Sequence, residues 1–481
     1  MDDNRPDPVD DPESAPQTPS GTLAAGAMSV PAITSPGRAA SAAEIWRLSW
    51  PIMLSQILVT AVGLVDIAMV GRLGADAVAA VGYATQFFFM TQSALFAVGF
   101  ACVALMARSI GAGDPSSARR ALVASLLVAV GTALVVATAV LIAPRALLGL
   151  LSADPNVVEL CIPYLWLVLG STVMLAISLV LESGLRAVRD TVTPMRIAAV
   201  VAVVKLALNA VLIFGVAGFP RMELVGAGVA TVVSQVLGLA LFLRTVATAS
   251  ESSPVHISLG DIRASRGLLR SVTRLAAPGV AERIILNLAL LAYFAVLGTY
   301  GTAAVAAYTV GVRALSFSWI PGIGFQGAVS TLVGYALGAG ARDMALRTGR
   351  VAVAMALGVA IVLGVVAAGA HASIARAFTT DPDTLAALGP FLLFLAAAQP
   401  LLQVHFTLAG VHRGAGDTWT PLLAATVGNW VFRVPMAFVL ARVFEVELMW
   451  LWAPILFDHA VRALWLGRSF RRRAWMDRPV G

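Results

Sequence analysis

The chain has 481 residues, 59% of them hydrophobic and only 12% charged, with a mean hydropathy of +0.86. Soluble domains carry roughly twice that charge, so composition excludes a soluble globular protein, and the absence of short alternating segments excludes a membrane β-barrel. The net charge of +7 is assigned to loops on one side of a bilayer rather than to a nucleic-acid partner.

In chain order, residues 1–44 are rich in Pro, Ser, Ala and Asp. They bury too little apolar surface to fold, and their acidic start argues against a cleaved leader, so a disordered cytoplasmic tail is expected. Apolar runs come next, each long enough for a helix to cross a hydrocarbon core of about 30 Å. Breaks at charge and Gly/Pro clusters give twelve spans: 48–71, 77–107, 121–143, 157–183, 194–217, 225–247, 274–298, 303–337, 347–370, 384–411, 421–442 and 447–467. The second and eighth are long, which predicts tilt or an interfacial extension. Six spans make an N-lobe (45–247), a linker covers 248–271, six more make a C-lobe (272–470), and a basic tail occupies 471–481. The basic half of the linker lies either on an anionic leaflet or in solvent. Loops on one side carry 20 arginines and those on the other 5. That bias predicts a multi-pass protein of the inner (plasma) membrane with both termini cytoplasmic.

Shifting the chain against itself by 227 residues aligns landmarks without a gap. Pro51 falls on Pro278, Gly71 and Gly74 on Gly298 and Gly301, and Gly111 and Gly113 on Gly338 and Gly340. Asp154 and Pro155 fall on Asp381 and Pro382; Arg186, Asp190, Thr193 and Pro194 fall on Arg413, Asp417, Thr420 and Pro421. Each copy holds an even number of spans, so both insert the same way up. The predicted fold is all-α: twelve transmembrane helices in two six-helix lobes related by a pseudo-two-fold axis along the membrane normal, with a site between the lobes.

These features resemble the multidrug and toxic compound extrusion (MATE) family over residues 45–470. The carriers are Pro51, Gln56, Asp66 and Gly71 in the first span, the repeated Arg-x-x-x-Asp-x-x-Thr-Pro loop, and Trp430, Arg433 and Pro435 in the eleventh. The chain looks closest to the DNA-damage-inducible (DinF-like) branch, because its tenth span lacks a carboxylate before Asp417. The resemblance implies secondary active efflux of amphipathic, often cationic compounds, driven by H+ or Na+, with the acid at Asp66 binding the coupling ion. The family commonly has Asn followed four residues later by Asn or Asp in the fifth span, where this chain has Lys205 and Asn209.

An ionisable group inside a bilayer costs several kcal/mol unless it has a partner or a task. Asp66 sits toward the outer end of the first span. Lys205, the only lysine in the chain, lies at the middle of the fifth span, one helical turn from Asn209. A buried lysine can lose its proton, whereas an arginine stays charged. An Asp66–Lys205 pair is therefore expected, either as a proton-exchanging site completed by Asn209 or as a fixed salt bridge. Arg433 and Asp458 are expected to form a structural ion pair. Glu282 is expected to pair with Arg313 or to line the cavity, and Glu182 to act at a gate or interface. Pro51 and Pro278 are expected to open their helices. Gln56, Gln86, Gln92, residues 87–89, Trp319 and Gln326 are candidates for the cavity wall, with lipid-facing packing as the alternative.

Cys102 and Cys161 lie in apolar runs without metal-ligand spacing. No nucleophile–base set or phosphate loop occurs. The chain is thus not expected to be an enzyme or to need a metal or cofactor; its partners are the lipid bilayer and small amphipathic or cationic substrates, and it is expected to be a monomer. A H+-coupled efflux antiporter is the leading reading. A lipid-linked glycan flippase of the same superfamily and a non-transporting scaffold are the alternatives.

Overall fold

A computed structural model describes residues 41–150, 154–215 and 218–478. The part of the expected tail at residues 1–40 lies outside the described residues. The protein is all-α, with twelve transmembrane helices in two six-helix lobes. The first span is α1 (Ala42–Gly71), begun by Ser41, whose hydroxyl accepts from the Glu44 amide at 3.2 Å. After it come α2 (Ala75–Gly111), α3 (Pro115–Ile142) and the short α4 (Pro144–Leu150). The fourth span is α5 (Pro155–Gly170) and α6 (Thr172–Ala187), broken at Ser171; α7 (Val192–Phe214) and α8 (Glu223–Ala247) complete the N-lobe.

The inter-lobe segment holds a short helix, α9 (Leu259–Ala264), which packs on α3, and Arg119 Nε lies 3.7 Å from Asp261. The C-lobe runs α10 (Leu269–Leu297), α11 (Thr302–Ser318), α12 (Ile320–Gly338), α13 (Arg342–Phe378) and α14 (Pro382–Gly414). Then come α15 (Trp419–Thr426), a π-helical turn (Val427–Arg433), α16 (Val434–Arg442) and α17 (Ala453–Arg472). Among the described residues, eleven helices or helix pairs are long and apolar enough to cross a membrane by length and composition. The twelfth, α17, is more polar, and it turns Asp458, His459 and Arg462 inward, all less than 9% exposed.

Three expectations about helix ends change. Pro51 and Pro278 stand inside α1 and α10 rather than at their starts. A proline frees the carbonyl one turn back, and in α1 the Ser55 hydroxyl bonds the Pro51 carbonyl itself at 2.9 Å. The long eighth span is two helices, divided at Trp319, with Pro321 in the first turn of α12, where a backbone amide needs no helical partner. The second span is long and unbroken.

The 227-residue repeat is visible in the backbone. Left-handed φ values recur at Gly74 and Gly301 (112° and 95°), at Gly113 and Gly340 (77° and 72°), and at Arg189 and Gly416 (66° and 82°). Asp154 and Asp381 cap equivalent helices, accepting from the amides of Asn156 and Thr384. Outside the membrane, those Thr384 hydrogen bonds hold the Asp381 carboxyl below the usual carboxylate range.

The lobes meet at the arginine-rich end. Ile45 and Leu48 of α1 are buried in the core of the C-lobe, beside Phe325 and Leu332. Their repeat equivalents Val272 and Leu275 of α10 are buried in the core of the N-lobe, beside Leu122 and Leu185. Each lobe thus anchors the first turns of the other's leading helix. Between them α2 crosses α12 so closely that a Cβ on Gly111 would lie 2.1 Å from the Tyr335 carbonyl oxygen, and one on Gly338 would lie 2.0 Å from that of Arg108. Arg108 and Tyr335 are also repeat equivalents, so the pseudo-two-fold axis passes through this crossing. Arg189 pairs with Glu44 at 3.0 Å, and its guanidinium lies 4.3 Å from the Tyr335 ring across the lobe boundary.

Candidate functional site

Asp66 lies on α1 in the half away from the arginine-rich end. Helix α7 packs along α1 and presents Lys205 and Asn209, one turn apart on the same face. Lys205 Nζ is 2.5 Å from Asp66 Oδ2, and the Asn209 amide donates to Asp66 Oδ1. The three sequence candidates therefore converge on one carboxylate. Asn209 is buried at 1% exposure, whereas the Lys205 and Asp66 side chains are 20% and 23% accessible. The pair sits between the two extremes for an ion pair: enough of each side chain is covered to strengthen the attraction, and about one-fifth of each stays uncovered. Asn209 Oδ1 is buried and accepts from no described residue, a cost of about 1–3 kcal/mol for an orphaned acceptor. Tyr164 of α5 is near enough to sense the Asp66 charge; an isolated tyrosine in an apolar run gave no signal in the sequence.

At the repeat-equivalent positions the C-lobe has Tyr293, Phe432 and Met436. Tyr293 is fully buried and its hydroxyl donates to the Leu451 carbonyl. The C-lobe instead builds a different polar cluster. Arg433, at the end of the π-helical turn, donates to the Tyr308 hydroxyl at 2.6 Å and lies 4.6 Å from the Tyr293 ring. Its expected partner Asp458 is at 3.9 Å, but the principal partner of that carboxylate is Arg462, one turn along α17, which grips both oxygens at 2.6 and 2.9 Å. The Arg433–Asp458 pair is thus the weaker contact of a triad, and the i,i+4 spacing of Asp458 and Arg462 was the signal for the stronger one. Gly428 lets the π turn approach: a Cβ there would fall 2.3 Å from Asp458 Oδ1.

Glu282 does not pair with Arg313, which is exposed; it accepts from Arg413 at 2.7 Å. Arg413 also lies 4.9 Å from the Phe100 ring of α2, so this pair abuts the lobe boundary. Glu182 pairs with Arg186, one turn away on α6. Among the cavity candidates, Gln326 is packed away at 3% exposure. Gln56 is half-buried on α1, ten residues before Asp66, or roughly 15 Å along the helix. Gln86 lines an open recess of about 440 Å³ along one face of α2, with Ala79, Gly82 and Tyr83. Among the described residues no group of three or more His, Cys, Asp or Glu could hold a metal ion.

A model of the MatE family matches residues 51–211 and again 278–439, two stretches that begin at the repeat-equivalent prolines. The chain is 26% identical over 438 residues to the Thermotoga maritima protein named "Probable multidrug resistance protein NorM", covering 91% of this chain and 94% of that one. It is 31% identical over 416 residues to a protein of the same name from Bradyrhizobium diazoefficiens, covering 83% and 86%. Its fold is similar to that of a MOP superfamily transporter from Pyrococcus furiosus, with a TM-score of 0.84 at 22% identity over 91% of this chain and 97% of that one.

Proposed function

The chain belongs to the MatE family, and from that premise we propose that it is a secondary active multidrug efflux antiporter. It exports amphipathic, cationic compounds in exchange for H+ rather than Na+, by alternating access of the two lobes. The relatives named for multidrug resistance support the substrate class. The observation that carries the choice of ion is the ammonium of Lys205 at 2.5 Å from Asp66.

A sodium ion at Asp66 would bring a second cation to a carboxylate that already holds one, and the like charges would repel at close range. A proton acts differently. When Asp66 takes it up, the attraction that keeps Lys205 charged disappears, and the partly desolvated ammonium can release its own proton. The charged and neutral pairs hold the same one proton, so coupling consists in uptake by Asp66 from one side and release from Lys205 to the other, and transfer from Asp66 to Lys205 then restores the charged pair. Asn209 suits both states, because its amide donates to the carboxylate as found and, turned over, offers Oδ1 to a protonated Asp66. Its orphaned acceptor is accounted for by that second state. The orientation that fits is the one with the arginine-rich end and both termini in the cytoplasm of a cell bounded by this membrane, and the working unit is a monomer.

Transport of a fluorescent cation in proteoliposomes, under separately imposed H+ and Na+ gradients, tests the reading. A H+ gradient alone is expected to drive accumulation by the wild type and none by Asp66→Asn. Na+-driven transport that survives Lys205→Ala would overturn proton coupling at this site.

A further inference from the structure

The C-lobe holds two imidazoles that neither the ion pairs nor the lobe boundary uses. His405 of α14 and His459 of α17 are buried at 6% and 7% exposure. His405 Nε2 and His459 Nδ1 lie 3.2 Å apart, with the ring planes 15° from parallel. Phe406 packs against the His405 ring, 4.9 Å between centroids. The outer nitrogens, His405 Nδ1 and His459 Nε2, make no hydrogen bond to any described residue.

A single N–H···N contact requires one ring to donate and the other to accept. In the neutral pair the donor ring therefore has a bare outer nitrogen. One proton from water can add there without breaking any bond, and the contact becomes a charge-assisted N–H+···N hydrogen bond. A second proton would leave two donors facing each other and two cations side by side, so the capacity of the pair is one.

Charged groups surround the pair from every packed element. Asp458 and Arg462 belong to α17, Arg433 to the π-helical turn, and Arg413 to α14, where it is paired with Glu282 of α10. Arg283 also lies beside Glu282, so two carboxylates meet four guanidiniums, and within the Asp458 triad Arg433 is the cation in excess. It is held by its 2.6 Å bond to Tyr308, its place 4.6 Å from the Tyr293 ring and its 3.9 Å approach to Asp458. Movement of the π-helical turn toward or away from Asp458 alters the field that an added proton meets.

We propose that His405 and His459 form a second proton-binding site, in the C-lobe and separate from the Asp66 cluster, that takes up one proton as a unit. The test is deuterium exchange at imidazole C2, read residue by residue by mass spectrometry, on the full chain in lipid nanodiscs from pH 5 to 9. In the wild type both rings are expected to change exchange rate at one common midpoint. In His405→Gln the midpoint of His459 is expected to shift by about one pH unit or more, and the reciprocal His459→Gln, read on His405, gives the same test should the first variant misfold. Asp66→Asn is expected to leave the pair unmoved. The proposal fails if neither ring titrates in this range, or if each titrates unchanged when the other is replaced. Failure of the Asp66 reading appears elsewhere, in gradient-driven transport by Asp66→Asn.

Discussion

Valine in place of Gly111 or Gly338 is expected to hold the arginine-rich end open and to abolish transport. A Cβ at either position falls 2.0–2.1 Å from a backbone carbonyl of the opposing helix, and no rotamer change can relieve a clash with backbone. The helices must separate. Overpacking typically costs about 1–3 kcal/mol, and here the cost falls only on the state with α2 and α12 in contact, so the conformational equilibrium shifts by about 5- to 150-fold. Distances between spin labels at the ends of α2 and α12 are expected to lengthen in Gly111→Val and Gly338→Val while the protein stays folded. Gly131→Val supplies the control, since nothing lies within 4 Å of a Cβ there. An unchanged distance distribution with full transport would mean that this crossing is not the gate.

Asp66→Asn is expected to lower both transport and thermal stability, and a second change is expected to separate the two losses. Removing one member of a buried pair costs about 3–5 kcal/mol because the survivor is left desolvated without its partner and must either stay charged or give up its proton. With about one-fifth of each side chain accessible, the loss here belongs below that range. Asp66→Asn with Lys205→Met removes the stranded charge, so the unfolding midpoint in detergent is expected to recover toward the wild type. Proton-driven transport is expected to stay absent. Wild-type transport by the double variant would reduce the pair to a structural bridge and leave coupling to other groups.

The reach of sequence reasoning differs between the lobes for a physical reason. Asp66, Lys205 and Asn209 were legible because two of them share a face of one straight helix and the only lysine of the chain marks the place. The 227-residue register was legible because glycines at left-handed turns and aspartates at helix starts answer to local backbone geometry alone. The C-lobe was harder. A π turn inserts one residue into the helical repeat and rotates the turns beyond it by about 100°, so the face on which Arg433 emerges cannot be counted from Trp419. The partner of Glu282 was missed because a long guanidinium reaches across helices whose tilt the sequence does not encode. Trp319 breaks its span without a glycine, and only Pro321 beyond it hints at the division. His405 and His459 are 54 residues apart, and nothing local draws them together.

Arg189 holds a left-handed φ of 66° where its repeat equivalent is Gly416, a conformation that costs a side-chain-bearing residue about 1–2 kcal/mol. The arginine is retained at that cost while its guanidinium bridges Glu44 and the Tyr335 ring. Glycine would relax the loop but leave Glu44 without its partner, and the pair is less accessible than Asp66–Lys205. Arg189→Gly is therefore expected to lower the unfolding midpoint despite the relieved strain, and to loosen the contact between the lobes. The arginine copy of the loop bears backbone strain and fastens the lobes with its side chain, whereas the glycine copy is free of that strain and has no side chain to fasten anything.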